Sequence, residues 1–144
     1  MKNQSFNPDG ELLLRTSPMP ADTNANGDIF GGWIMSQMDI AAGMMAVEIT
    51  GGRAVTIAVD AMKFIKPVQV GDIVCCYGKL KKIGNSSVAI RVEVWVKPGL
   101  GQLIIDRENQ FSLVTEGSYI YVAIDREGRK LTFPKPVIPA AQAD

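Results

Sequence analysis

The chain reads as an α+β protein, one long helix followed by an antiparallel sheet of about five strands. Three observations predict this. From Gly31 to about Ile49 a nearly unbroken apolar run contains no proline and is long enough for about five helical turns. Beyond residue 54 the hydrophobic period changes from helical to two. Short Gly, Pro, Asn and Asp clusters then cut the rest into strand-length pieces.

Residues 1–10 are polar and expected to fray. ELLLRTS over 11–17 predicts a short strand, and PMPADTNANGD over 18–28 is turn chemistry. TGGR over 50–53 closes the helix, with Gly51 or Gly52 suited to a left-handed C-cap. In 54–66, Val55, Ile57 and Val59 alternate with Thr56, Ala58 and Asp60, and KPVQVGD over 66–72 breaks the run. IVCCYGKLKKI predicts a strand over 73–83, and GNSS over 84–87 a hairpin loop. Val88, Ile90, Val92, Val94 and Val96 then alternate with Ala89, Arg91, Glu93, Trp95 and Lys97 in the clearest strand of the chain. PGLGQ over 98–102 is a loop, the last strand covers roughly 109–124, and DREG over 125–128 is a turn. The domain is therefore placed at 8–128, with 129–144 a poorly ordered tail rich in Pro and Ala. One helix cannot cover both faces of such a sheet, so a partner subunit is expected.

Composition narrows the function. Of 144 residues, 47% are hydrophobic and 21% charged, enough for an ordinary core. The formal net charge is zero, which argues against a nucleic-acid partner. Cys75 and Cys76 are adjacent, so on a strand they face opposite ways and form neither a redox pair nor a metal clip. The N-terminus lacks a signal-peptide apolar core. The helical run is too short, and too interrupted by Ser36, Gln37, Asp39 and Glu48, to span a membrane. A cytoplasmic location is expected. There is no histidine. That removes Ser-His-Asp and Cys-His catalysis and histidine metal sites, and no metal is expected. Acid-base chemistry is left to Asp, Glu, Lys, Tyr, a cofactor or water.

Around the helix, Gly32, Ser36, Asp39 and Gly43 fall within about 60° of one another at 100° per residue. Asp39 lies in the middle of this small-and-polar stripe. It reads either as a structural carboxylate needing a donor, or as a base or nucleophile in a small pocket. Ahead of it, GDIFGGW sets Asp28 and two glycines at the helix N-terminus, where free N–H groups can hold an oxyanion. Asp28 could equally be an ordinary N-cap.

MPADTNANGDIFGGWIMSQMDIA (19–41), FIKPVQVGDIVCCYG (64–78) and SVAIRVEVWVK (87–97) closely resemble the YciA-type acyl-CoA thioesterases of the hotdog-fold superfamily. The likeness is strong over 11–97 and looser through TEGSYIYVAIDREGR (115–129). It implies a hotdog fold, one long helix wrapped by a curved antiparallel sheet. It also implies a homodimer as the minimal active unit, with sites between protomers, assembling further as a trimer of dimers. By the resemblance, Asp39 is the catalytic carboxylate and Asp28 faces the same pocket from the opposite subunit. The helix-start amides of Gly31, Gly32 or Trp33 polarise the thioester carbonyl. KKIGNSS (81–87) meets the CoA phosphates and adenosine through Lys82, Gly84, Asn85, Ser86 and Ser87. Asn24, Asn26, Gly31 and Ser36 complete the expected substrate-binding set, with Lys79, Lys81, Lys63 and Lys66 as further cationic candidates. No separate cofactor is implied, since CoA belongs to substrate and product. TEGSY (115–119) and PGLGQLIIDRENQ (98–110) depart from the family pattern, which leaves acyl-chain preference open. Asp39 would activate water or attack directly. The alternative is a non-catalytic acyl-CoA-binding or sensing module.

Overall fold

The helix α1 spans Gly31–Thr50 and is flanked in the chain by the strands β1 (Glu11–Thr16), β2 (Ala54–Phe64), β3 (Ile73–Ile83), β4 (Ser87–Lys97) and β5 (Ser112–Ala123). The computed structural model describes residues 5–99 and 111–136. Most of PGLGQLIIDRENQ, the start of the expected last strand and the end of the tail lie outside them. The strands form one antiparallel sheet in the order β1-β3-β4-β5-β2, so β1 and β2 are the edges. The helix packs across all five strands. This is the predicted α+β arrangement, with a short 3-10 turn at Pro20–Asp22 inside the stretch read as turn chemistry.

The core forms where α1 meets the sheet. Ile34, Met38, Ala41, Ala42 and Ala46 repeat at helical spacing and bury against Val74, Cys76, Ile90, Val92, Val94, Tyr119 and Tyr121. The alanines let the helix lie close to the strands. The helix ends at Gly51, whose φ of 77° is left-handed and whose N–H donates to Val47 O.

A helix apolar on most of its circumference is expected to be buried nearly all round, and here the chain differs. Ile40, Met44 and Val47 are 52%, 45% and 46% exposed. A single sheet covers only one side of a helix, so these residues are left outward. The edge strand β2 shows the same surplus. Val55, Ile57 and Val59 are all exposed rather than hidden on an inner face. The register of β2 on β5 slips at Thr56/Ala58 and again at Asp60/Lys63, with Ala61 at φ 53°, which bends the strand away from the core.

Cys75 and Cys76 are both buried and face opposite sides, as strand geometry requires. Burial pushes the Cys76 thiol up to about 12, with Cys75 adding to the effect. On the sheet face away from α1, Phe6 packs edge-on to Trp95 and stacks on Phe111, and Asp9 pairs with Lys79 and Lys81. The described part of the N-terminus is therefore held, because the second sheet face needs an apolar cover. The first part of the tail is held too. Leu131 N–H bonds Ala123 O, and Phe133 is 4% exposed within the core.

Candidate active site

Asp39 sits midway along α1, half-buried, on the side turned toward the start of β2. Its Oδ1 accepts a hydrogen bond from Thr56 Oγ1 at 2.6 Å and another from Tyr121 OH at 2.6 Å. Among the described residues Oδ2 has no hydrogen-bond partner. Burial, followed by the hydrogen bond and charge of Asp39, pushes the Tyr121 phenol well above the usual tyrosine range. Tyr121 is thus a fixed donor. Tyr119, raised by burial and then by the Asp39 charge, donates to Met35 O at 2.9 Å. Two aromatic hydroxyls on β5 thereby clamp the middle of the helix.

Asp39, Thr56 and Tyr121 open onto a recess of about 580 Å³ that Gly43, Met44, Val47, Glu48 and Ala54 also line. It runs along the C-terminal half of α1 between helix and β2. Gly43 lies against the Tyr121 ring, where an added Cβ would make ordinary contact at 3.7 Å. A second recess of about 420 Å³ involves Asp9, Met45, Gly78 and Lys79. Its cation is already neutralised, since Lys79 pairs with Asp9 at 3.2 Å.

The helix N-terminus forms a separate cluster. The Gly31 and Gly32 N–H groups have no acceptor among the described residues, whereas Trp33 N–H is spent on Phe30 O at 3.1 Å. Nothing lies within 4 Å of where a Gly32 side chain would project. Asp28 does not cap the helix: the N-cap is Phe30, which makes no side-chain cap. Instead Asp28 Oδ1 accepts from Gln69 Nε2 at 2.7 Å. Asn24 Oδ1 accepts the backbone N–H groups of Asn26 and Asp28, so the Asn24 carbonyl is committed to shaping the loop. Ser36 Oγ donates to Trp33 O inside the helix.

These two clusters do not meet within one chain. Gly32 and Asp39 are seven residues apart on one helix, about 10 Å along its axis. No reacting carbon can touch both.

The hairpin loop after β3 lies at the sheet end where β5 finishes and β2 begins. Gly84 N–H bonds Ser87 O, and a Cβ on Gly84 would displace the Ser87 hydroxyl, which lies 2.5 Å from that position. Lys82 and Asn85 are exposed. Ser86 O accepts from Ala123 N–H, and Ala123 pairs with Ala54, a wall of the Asp39 recess. Sequence reasoning missed Thr56, Gln69 and Tyr121. Thr56 and Tyr121 are opposite each other in the β2–β5 register, a long-range pairing no local pattern records.

The profile of the Thioesterase superfamily matches residues 26–101. The chain is 52% identical over 127 residues to acyl-CoA thioester hydrolase YciA of Escherichia coli, covering 88% of this chain and 93% of that protein. The hexameric thioesterase y2039 from Yersinia pestis superposes with a TM-score of 0.80 at 53% identity, over 90% of this chain and 99% of that one. Cj0915, a hexameric hotdog fold thioesterase of Campylobacter jejuni, superposes with a TM-score of 0.75 at 39% identity, over 87% and 91%.

Proposed function

The chain belongs to the YciA-type acyl-CoA thioesterases of the Thioesterase superfamily, with their hotdog fold, and from that premise we propose that it hydrolyses acyl-CoA thioesters to CoA and a carboxylic acid at a site shared by two copies. The observation that carries this reading is the carboxylate of Asp39, tied at Oδ1 by Thr56 and Tyr121, without a partner on Oδ2 among the described residues, and part of the recess lining.

Thioester hydrolysis needs a base or nucleophile, donors for the developing oxyanion, and a grip on CoA. Asp39 supplies the first. It takes a proton from water as the water oxygen adds to the carbonyl carbon, or its own oxygen adds and water later cleaves the anhydride. In both routes the C–S bond breaks and the thiolate leaves. Thr56 and Tyr121 hold the carboxylate in one orientation. The free N–H groups of Gly31 and Gly32 suit the oxyanion, each such donor being worth roughly 2.7–4 kcal/mol. Because they lie about 10 Å from Asp39 of the same chain, the donors come from a second copy. The edge of β2 supports this. Antiparallel pairing of two β2 edges about their middle sets the Thr56 end of one beside the Phe64 end of the other. Phe64 abuts Gly31. The same contact covers Ile57 and Val59 on the edge strand. Asp28, fixed by Gln69, then reaches the pocket from the partner side. Further assembly to a hexamer is consistent with the hexameric relatives.

The recess leads from Asp39 toward Ala54, at the sheet end that carries the 84–87 loop. It is a slot for the extended arm of CoA, with Lys82 and the loop donors at its outer end.

Asp39→Ala should abolish thiol release from a panel of acyl-CoA substrates while keeping the wild-type circular dichroism spectrum. Near-normal turnover by that variant sinks the assignment. A wild type that binds acyl-CoA but releases no thiol would make the protein a binding module instead.

A further inference from the structure

We propose that the segment 129–136 is a strap that sets the shape of the nucleotide-binding end, with Lys135 as its positioning residue. The inference rests on the acyl-CoA reading above and extends it to a part of the chain that reading does not use.

The strap is tied to the hairpin loop directly by Lys135 and indirectly through the end of β5. Phe133 anchors it, buried in the main core. Leu131 N–H donates to Ala123 O, continuing the backbone pairing beyond β5. Ala123 N–H donates in turn to Ser86 O of the loop. Lys135 then reaches across and donates from Nζ to Asn85 O at 2.6 Å and to Phe133 O at 3.0 Å, with its ammonium 3.5 Å from the centre of the Phe133 ring. An ammonium has three donors. Two are used on carbonyls, and the ammonium also sits over the Phe133 ring, so its position is fixed from several sides.

The setting is basic although the chain as a whole is neutral. Arg53 bonds Arg126 O, and Ile124 N–H bonds Arg53 O, which joins Arg53 and Arg126 to the chain that leads into the strap, while Lys135 joins the strap to Asn85 of the hairpin loop that follows Lys82. Among the described residues Arg53, Lys82, Arg126, Lys130 and Lys135 have no acidic partner, while Arg129 is paired with Asp125 and Glu127. Such a patch suits the several negative charges of a phosphorylated adenosine diphosphate. Its Arg53 adjoins Ala54 at the outer end of the Asp39 recess, and the β4 end of the hairpin loop lies two strand spacings, about 10 Å, from Ala54. Lys135 acts through Asn85: it fixes the loop carbonyl, and so the direction in which the loop amides and hydroxyls face the nucleotide.

The test compares two thioesters of the same acyl group, one on CoA and one on N-acetylcysteamine, which lacks the nucleotide. In Lys135→Met the ratio of kcat/KM for the CoA ester to kcat/KM for the short ester should fall about tenfold, through KM. Lys135→Arg, which keeps charge and donors, should restore most of that ratio. Equal losses on both thioesters, or an unchanged ratio, overturn the inference. A wild type that cleaves neither thioester instead overturns the acyl-CoA reading beneath it.

Discussion

Removing one hydroxyl, in Tyr121→Phe, probes the support of Asp39 directly. The hydroxyl donates to the charged Asp39 Oδ1 at 2.6 Å, with Asp39 O also within reach at 2.9 Å. Hydrogen bonds of that kind are worth about 1.5–3 kcal/mol. Asp39 is half-exposed and keeps Thr56, so water and the second donor recover part, and the loss at neutral pH should sit near the lower end, about 1.5 kcal/mol. The pH dependence gives a second handle. The folded Tyr121 phenol titrates above its unfolded value, because burial and then Asp39 oppose a second negative charge. Its stabilising contribution is therefore complete below the unfolded value, about pH 10. It is lost as pH rises toward the folded one, at about 1.4 kcal/mol per pH unit. Phenylalanine has nothing to titrate. The gap between wild type and variant should thus close by roughly one pH unit above 10. Urea unfolding at a series of pH values, followed by circular dichroism, measures it. A gap that stays constant from neutral into strongly alkaline solution would refute the proposed coupling of Tyr121 to Asp39.

Two further outcomes follow from the proposed shared site. Ile57→Asp places a charge on an edge residue that is 58% exposed in the single chain. Size-exclusion chromatography should show monomers, and thioesterase activity should vanish with the assembly; an active monomer would show that one chain holds a whole site. Gly32→Pro removes one free N–H in the first helical turn, where proline is tolerated. Alone it should cost about 10²–10³ in kcat. Co-refolded with Asp39→Ala it should regain about a quarter of wild-type activity, since random pairing leaves one intact site in half of the dimers. Mixtures no better than either variant would place both groups in one protomer.

Much of the architecture was legible because it is written in local pattern. The apolar run from Gly31, the left-handed glycine at 51 and the strict alternation of β4 are short-range signals, and each matches the observed element. The strand over 73–83 falls on β3 without adjustment. Misreadings arose where packing decides. The tail looked loose because Pro and Ala dominate it, yet Phe133 finds a place in the core. The terminal polar run looked frayed, yet Phe6 covers Trp95. An uncovered sheet face recruits whatever apolar residue the chain brings near it.

The candidate site divides the same way. Asp39 stood out from sequence alone, as a carboxylate on a narrow polar stripe in a chain without histidine. What holds it did not. Thr56 lies 17 positions away and Tyr121 82 positions away, so only the β2–β5 pairing beneath the helix brings them to one oxygen. The sequence by itself determined which residue types could do chemistry and which segments would be helix and strand, since those depend on composition and short periods. Tertiary structure alone decided that Thr56 and Tyr121 hold Asp39 and that it opens on a recess, while the helix itself sets Gly32 and Asp39 about 10 Å apart. A rigid helix fixes that spacing, which is why the proposed site draws on a second chain.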